Sequence, residues 1–247
     1  MKPIRAISLD LDDTLWPVWP VIERAEAALH AYLAAHCPRT ASAYPVPRMR
    51  ALREQVAREH PHLAHDFSAQ RLICLERALG ASGDDIAHAR PAFEALYVER
   101  NRVRFYDDAL PALEALGALF PLAALTNGNA DLARIGIDQR FAVIVAARDL
   151  GVAKPERAIF EHTARQLGLE PGEVLHVGDD PRLDVDGAAR AGMRTCWINR
   201  ERATWPAMLM RPELEVRTLD ALVAALGEGG VFAAPRMGDT RETAKLG

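Results

Sequence analysis

The sequence predicts an α/β protein: a Rossmann-like parallel sheet core with an inserted all-helical cap. Three observations carry that prediction. From Asp107 onward, short apolar stretches alternate with amphipathic ones, the texture of strands joined by covering helices. A similar apolar stretch, PIRAISL, stands apart near the beginning of the chain. Between them lies a long segment with apolar residues at helical spacing and no convincing strand.

Residues 4–10 mix β-branched and apolar side chains over the length of a buried strand. Val21 to His36, Arg48 to Glu59, Asp66 to Leu79 and Asp84 to Arg100 then read as helices. Pro38, Pro45, Pro47, Pro61, Gly80 and Gly83 break them apart. Beyond Asp107, PLAALTN, FAVIVAA, EVLHVGD and RTCWIN read as strands; PALEALGAL, PERAIFEHTARQLG and DVDGAARAG read as helices. The division that follows is a core of 1–15 and 105–227, a cap of 16–104, and a flexible tail of 228–247 without periodicity.

With 247 residues the chain can bury a substantial core, and 49% hydrophobic with 26% charged residues is the composition of an ordinary globule. A net charge of −4 gives no general attraction to nucleic acid or anionic membranes. No apolar run approaches the length of a transmembrane helix, and MKPIRA lacks a signal peptide's apolar core. Cys37, Cys74 and Cys196 are distant and odd in number, which suits a reducing compartment and builds neither a disulfide framework nor a zinc site. The expectation is a cytoplasmic protein whose partner is a small molecule.

Ligands of parallel α/β sheets bind beyond the carboxyl ends of the strands. The first strand ends in Asp10-Leu11-Asp12-Asp13-Thr14, and the next in Thr126-Asn127-Gly128-Asn129. Lys154-Pro155 opens a helix, and EVLHVG ends in Asp179-Asp180, followed by Asp184 and Asp186. Each motif alone has a structural explanation: D-x-D and G-D-D occur in turns, Thr-Asn in helix caps, and Lys-Pro at helix starts. Together they set carboxylates, a hydroxyl and an ammonium around one crevice. Carboxylates crowd in this way where a hard divalent cation takes their oxygens and neutralises them.

In these motifs the chain resembles the haloacid dehalogenase superfamily, and within it the phosphatases with a helical cap inserted after the first motif. The family pattern falls on Asp10, Asp12, Thr14, Thr126, Lys154, Gly178, Asp179 and Asp184 without departure, and the resemblance runs from Ile4 to about Asn199. It implies a phosphatase with Asp10 as nucleophile, Asp12 as general acid and base, and Thr126, Asn127 and Lys154 on the phosphoryl group. It further implies Mg2+ held by Asp10, the main-chain carbonyl of Asp12, and Asp179. Asp184 would brace that site, with Asp180 a competing candidate, and Thr14 would hold the turn. The resemblance also suggests a cis Lys154–Pro155 peptide. Within the superfamily, a carbon–halogen hydrolase would need no acid at Asp12 and no metal at Asp179, and a phosphomutase would use the same site.

The segments LTNGNADL, EVLHVGDDPRLDVDGAARAGM and TCWINR resemble bacterial phosphatases that act on flavin mononucleotide and on the ribitylamino-uracil phosphate of riboflavin synthesis. The cap carries twelve arginines and no lysine, a supply of donors for a polar leaving group. Trp16 and Trp19 follow the first motif at the expected mouth of the site. Trp16, the nearer to Asp10, is the expected stacking surface for a planar ring. The His60, His62 and His65 group reads as a solvated loop, and His176 as a buried strand residue.

Overall fold

The computed structural model describes residues 3–227. A six-stranded, wholly parallel sheet has the order β3-β2-β1-β4-β5-β6, made from Ala6–Leu9 (β1), Leu122–Thr126 (β2), Val143–Ala146 (β3), Val174–Gly178 (β4), Arg194–Ile198 (β5) and Leu214–Val216 (β6). The chain runs outward from β1 through β2 to β3, then returns to the other side of β1 with β4. That reversal opens a crevice at the carboxyl ends of β1 and β4.

Every residue of β1, β2, β4 and β5 is buried, as expected of strands covered on both faces. Alternation still sorts the side chains: Ile7, Leu9, Leu175 and Val177 join one apolar cluster, while Ala6 and Val174 join the other. The first cluster is covered by helices Ala109–Leu119 (α6) and Leu219–Leu226 (α11), the second by Arg157–Gln166 (α9) and Gly187–Arg190 (α10). Single helical turns at Leu132–Ile135 (α7) and Ala147–Leu150 (α8) complete this part.

The insertion after β1 is helical throughout: Val18–His36 (α1), Pro38–Ala43 (α2), Val46–Glu59 (α3), Phe67–Ser82 (α4) and Ala89–Arg100 (α5). In α1, Val21, Ala25, Leu29 and Leu33 recur every four residues and are buried. Ala25, Leu29 and Leu33 pack with Cys74, Leu75, Ala78 and Leu79 of α4 and Ala92 and Leu96 of α5 in an apolar cluster separate from those of the sheet. Asp66 caps α4 by accepting from the Ala69 N–H at 2.9 Å, and Gly83, at φ 74°, ends it in the left-handed conformation.

Several elements depart from the sequence expectation, among them α7, α8 and α11, for which no helix is read from the sequence. The helix read from Asp84 begins at Ala89, because the Asp84 carboxylate holds Thr40 at 2.7 and 2.8 Å and Asp85 caps a separate short turn. Helix α2 is too short to show a period, and β6 is a three-residue edge strand with only one buried position. The expected flexible tail lies outside the described residues.

Candidate active site

The first motif turns sharply. Asp10 still pairs its N–H with the Val177 carbonyl at 2.9 Å, and its side chain is almost wholly buried. Asp13 takes φ 58°, a left-handed conformation that Asp tolerates better than most residues, and accepts from the Val18 N–H at 2.8 Å to start α1. The insertion therefore begins from a rigid corner. Its return is tied there too: the Tyr106 N–H meets the Leu15 carbonyl at 2.9 Å, and Arg200 joins the Thr14 carbonyl to both oxygens of Asp108 at 2.9–3.1 Å.

Lys154 reaches this corner from the far side of β2. Its peptide to Pro155 is cis. The Asn127 side chain clamps its backbone from both sides, accepting from the Lys154 N–H at 2.8 Å and donating to its carbonyl at 2.9 Å. The ammonium then donates to Asp10 at 2.5 Å and to Asp184 at 2.6 Å, with all three side chains buried. Burial opposes that charge, but the carboxylates of Asp10 and Asp184 overcome the penalty and hold the ammonium above its ordinary range. Thr126 accepts from the Gly128 N–H at 2.9 Å, which leaves its hydroxyl proton to be donated elsewhere.

Asp10, Asp179 and Asp184 bring carboxylate oxygens within 4.8 Å of one another. Their partners separate their roles. Asp184 accepts from Lys154, from His176 Nε2 at 3.2 Å and from the Asp180 N–H at 3.0 Å; these donors, against the cost of burial, keep its carboxyl below the usual range. Asp180 is occupied as a helix cap, accepting from the Arg182 and Leu183 N–H groups at 2.8 Å. Among the described residues the Asp179 carboxylate has only the Thr14 hydroxyl at 3.5 Å, and burial together with the Asp10 charge raises its carboxyl to about 9. Burial likewise raises Asp10 to about 7 in spite of Lys154. Hard oxygen donors such as Asp10 and Asp179, whose carboxyls are raised while Asp184 beside them is compensated, fit a divalent cation of the magnesium or calcium type.

Close packing explains the glycine ahead of Asp179. A Cβ on Gly178 would lie 2.2 Å from Asp184 Cγ, so no larger residue leaves Asp184 in place. His176 sits opposite Ser8 in the strand register, bonds to its hydroxyl at 3.1 Å, and is neutralised chiefly by burial; it holds Asp184 rather than facing solvent.

Asp12 faces the other way, toward the helices. Its Oδ2 accepts from Arg100 Nη2 at 2.6 Å and its Oδ1 from the Trp16 indole at 2.8 Å. Arg100 also donates to Asn129 at 3.1 Å, and Asn129 donates to Ser68 of α4 at 3.2 Å, a chain of bonds linking the sheet edge to the helical insertion. Asp12, Gly128, Asn129 and Arg100 border a cavity of about 370 Å³ whose other walls come from α1, α3, α4 and α5. A second cavity of about 300 Å³, bordered by Asp13, Asp179, Tyr106 and Trp19, lies on the other side of the motif.

Trp16 departs from expectation. Its ring is fully buried, edge-on to Phe105 at 5.6 Å, and it offers no face to a ligand. Indole is large and apolar, and its N–H is satisfied by Asp12, so burial beneath the motif is its favourable position. Trp19 remains 54% exposed with Arg50 over its ring. Arg100 and Ser68 carry no sequence signal, since each reads as an ordinary helix residue; Asn129 lies within the second strand-end motif, which assigns it no role.

Residues 4–192 match the haloacid dehalogenase-like hydrolase family, and the chain belongs to that family. Among its relatives is the 5-amino-6-(5-phospho-D-ribitylamino)uracil phosphatase YigB of Escherichia coli (strain K12), 32% identical over 90% of this chain and 96% of that protein. The phosphoserine phosphatase of Thermus thermophilus is 34% identical over 73% of this chain and 69% of its own length. A 2-haloacid dehalogenase from Pseudomonas syringae pv. Tomato DC3000 has a crystal structure that aligns over 90% of this chain and 98% of its own, with 37% identity and a TM-score of 0.84.

Proposed function

We propose that the protein is a magnesium-dependent phosphomonoesterase acting through an aspartyl-phosphate, on flavin mononucleotide or 5-amino-6-(5-phospho-D-ribitylamino)uracil, with some breadth toward other phosphorylated metabolites. The carrying observation is Asp179, a carboxyl drawn against Asp10 and Asp184 while Lys154 is shared by those two. A partly buried carboxyl in that position serves a cation better than it serves the fold. The relation to YigB over nearly its whole length supports the substrate.

Asp10, Asp179 and the main-chain carbonyl of Asp12 would hold the metal, which when bound offsets negative charge on the phosphoryl group. Thr126, through its hydroxyl, and Asn127, through its N–H, hold phosphoryl oxygens. Lys154 screens the approach of one anion to another. A carboxylate oxygen of Asp10 bonds to phosphorus as the bond from phosphorus to the ester oxygen breaks, and Asp12 protonates that departing oxygen. In the second half Asp12 takes a proton from water. The water oxygen attacks phosphorus, expels the Asp10 carboxylate and leaves inorganic phosphate.

The similarity to the Pseudomonas syringae protein favours a second reading, hydrolysis of a carbon–halogen bond. That reaction uses Asp10 but expels a halide that needs no proton, leaving Asp12 and Asp179 without work. Phosphate release from p-nitrophenyl phosphate and flavin mononucleotide, with magnesium and with excess chelator, should be measured beside halide release from 2-chloropropionate. Metal-dependent phosphate release is expected. Halide release as the larger activity, or phosphate release undiminished by chelator, would overturn the proposal.

A further inference from the structure

The cavity bordered by Asp12 has walls of two kinds. One is apolar: Val18, Ile22, Leu96 and Phe67, a residue that is 47% exposed. The other is polar, formed by Gln70 and Arg71 of α4 and by Arg53 and the exposed Glu54 of α3. Gln70 Nε2 donates to the Leu63 carbonyl at 2.7 Å. A carbonyl only accepts, so this bond fixes the orientation of the amide and leaves Oε1 as an acceptor. Among the described residues, Oε1 has no hydrogen-bond partner.

Arg71 keeps only 7% of its surface exposed, and among the described residues it makes no ion pair or hydrogen bond; its Nη1 is sealed without an acceptor. Arg53, half-buried, also has no partner among the described residues. Glu26, whose charge favours the Arg71 guanidinium, gives its Oε2 to Arg50 and makes no hydrogen bond to Arg71; its Oε1 is buried without a partner. Burial, aided by the neighbouring Arg53 charge, lowers the Arg71 guanidinium to about 10. A buried donor without an acceptor is costly, and native structures keep very few of them. Here donors and an acceptor stand together on one wall, above a floor that holds Asp12.

We infer that this wall reads the imide edge of a planar leaving group: Gln70 Oε1 accepts the ring N–H, Arg53 and Arg71 donate to the carbonyls on either side, and Phe67 covers the ring face. A carboxylate or second phosphate would suit the arginines, but it would place an anion against the Gln70 acceptor and leave the Phe67 wall unused. The inference rests on the phosphatase reading, because Asp12 protonates the leaving oxygen from the base of the same cavity.

The test uses the full chain with magnesium and compares kcat/KM for flavin mononucleotide with that for its N3-methyl derivative. Methylation removes the imide proton and leaves the scissile ester unchanged. The expected loss is at least tenfold, ~1.4 kcal/mol. Gln70→Ala should reduce that ratio to about twofold, ~0.4 kcal/mol, and the wild-type comparison stands even if the variant fails to fold. Equal kcat/KM for the two flavin esters in the wild type would overturn the inference while leaving the phosphatase reading intact. If p-nitrophenyl phosphate is hydrolysed and flavin mononucleotide is not, the flavin reading fails and the pair uridine and cytidine 5′-monophosphate decides. A tenfold preference for the uridine ester, whose ring carries the imide, sustains the inference, and equal rates overturn it. A tenfold preference for phosphoserine over the flavin ester would overturn it as well.

Discussion

The sheet edge and the helical wall face each other across Asp12, and they treat charge in opposite ways. At the sheet edge, Lys154 lies between Asp10 and Asp184, His176 backs Asp184, and Asn127 fixes the Lys154 backbone, so most polar atoms are answered from within the chain. On the wall, Arg53 and Arg71 make no ion pair and Gln70 keeps an open acceptor among the described residues. Groups that act in the same way on every substrate gain from being held before it arrives. Groups that choose a substrate must keep their bonding capacity until it does. Asp179 belongs to the sheet edge in position, yet it resembles the wall in its unmet demand, which the proposed metal would satisfy.

The contrast can be broken at several points. Asp10→Asn keeps shape and removes the proposed nucleophile; kcat should fall by at least a thousandfold, ~4 kcal/mol of barrier, with an unchanged circular dichroism spectrum. Retention of a tenth of wild-type kcat would remove Asp10 from its role. Lys154→Met strands Asp10 and Asp184 in the interior, and loss of one partner from a buried ion group costs about 3–5 kcal/mol. Thermal unfolding should therefore drop steeply along with activity. An unchanged melting temperature would show that the sheet edge does not depend on this internal pairing.

On the wall the expected effects are smaller and selective. Phe67→Ala should weaken kcat/KM for flavin mononucleotide by ~1–3 kcal/mol, the scale of an aromatic stacking partner. A loss of the same size for a phosphorylated acyclic alcohol would mean that Phe67 shapes the crevice instead of covering a ring. Trp16→Phe supplies the converse case: the ring contact is largely kept, but the indole bond to Asp12 goes. Both substrates should lose equally, by about 0.5–1.5 kcal/mol, the usual net value of one hydrogen bond. A selective loss of the flavin substrate would place Trp16 at the ligand after all. Ser68→Ala, which removes a single bond between the insertion and Asn129, should have the smallest effect, a few tenths to about 1 kcal/mol in stability, read from denaturant midpoints.

These differences follow how the two regions are encoded. Asp10, Thr126, Lys154 and Asp179 belong to short motifs that meet fixed places at the strand ends of a parallel sheet, so their convergence is legible in the sequence alone. The Asp180 and Asp184 alternatives are separable only by partners, since one caps a helix and the other receives Lys154. Arg71 and Gln70 are neighbours on a helix whose apolar stripe is legible, but no motif distinguishes them from the other polar residues of that helix. Arg100 meets Asp12 across 88 positions of sequence, a separation over which no local pattern operates.

By itself, then, the sequence determined the alternation of strand and helix, the helical character of the insertion, and the chemical types at the sheet edge. Those follow from periodicity and from residues close together along the chain. The tertiary structure decided that Trp16 is buried beneath Asp12, that Asp179 is left with a weakly compensated charge, and that Arg53, Gln70 and Arg71 share one wall. Burial and pairing depend on which surfaces meet when helices from the insertion close over a sheet. Each is a balance between desolvation and the partners that packing supplies, and neither quantity exists until distant segments are in contact.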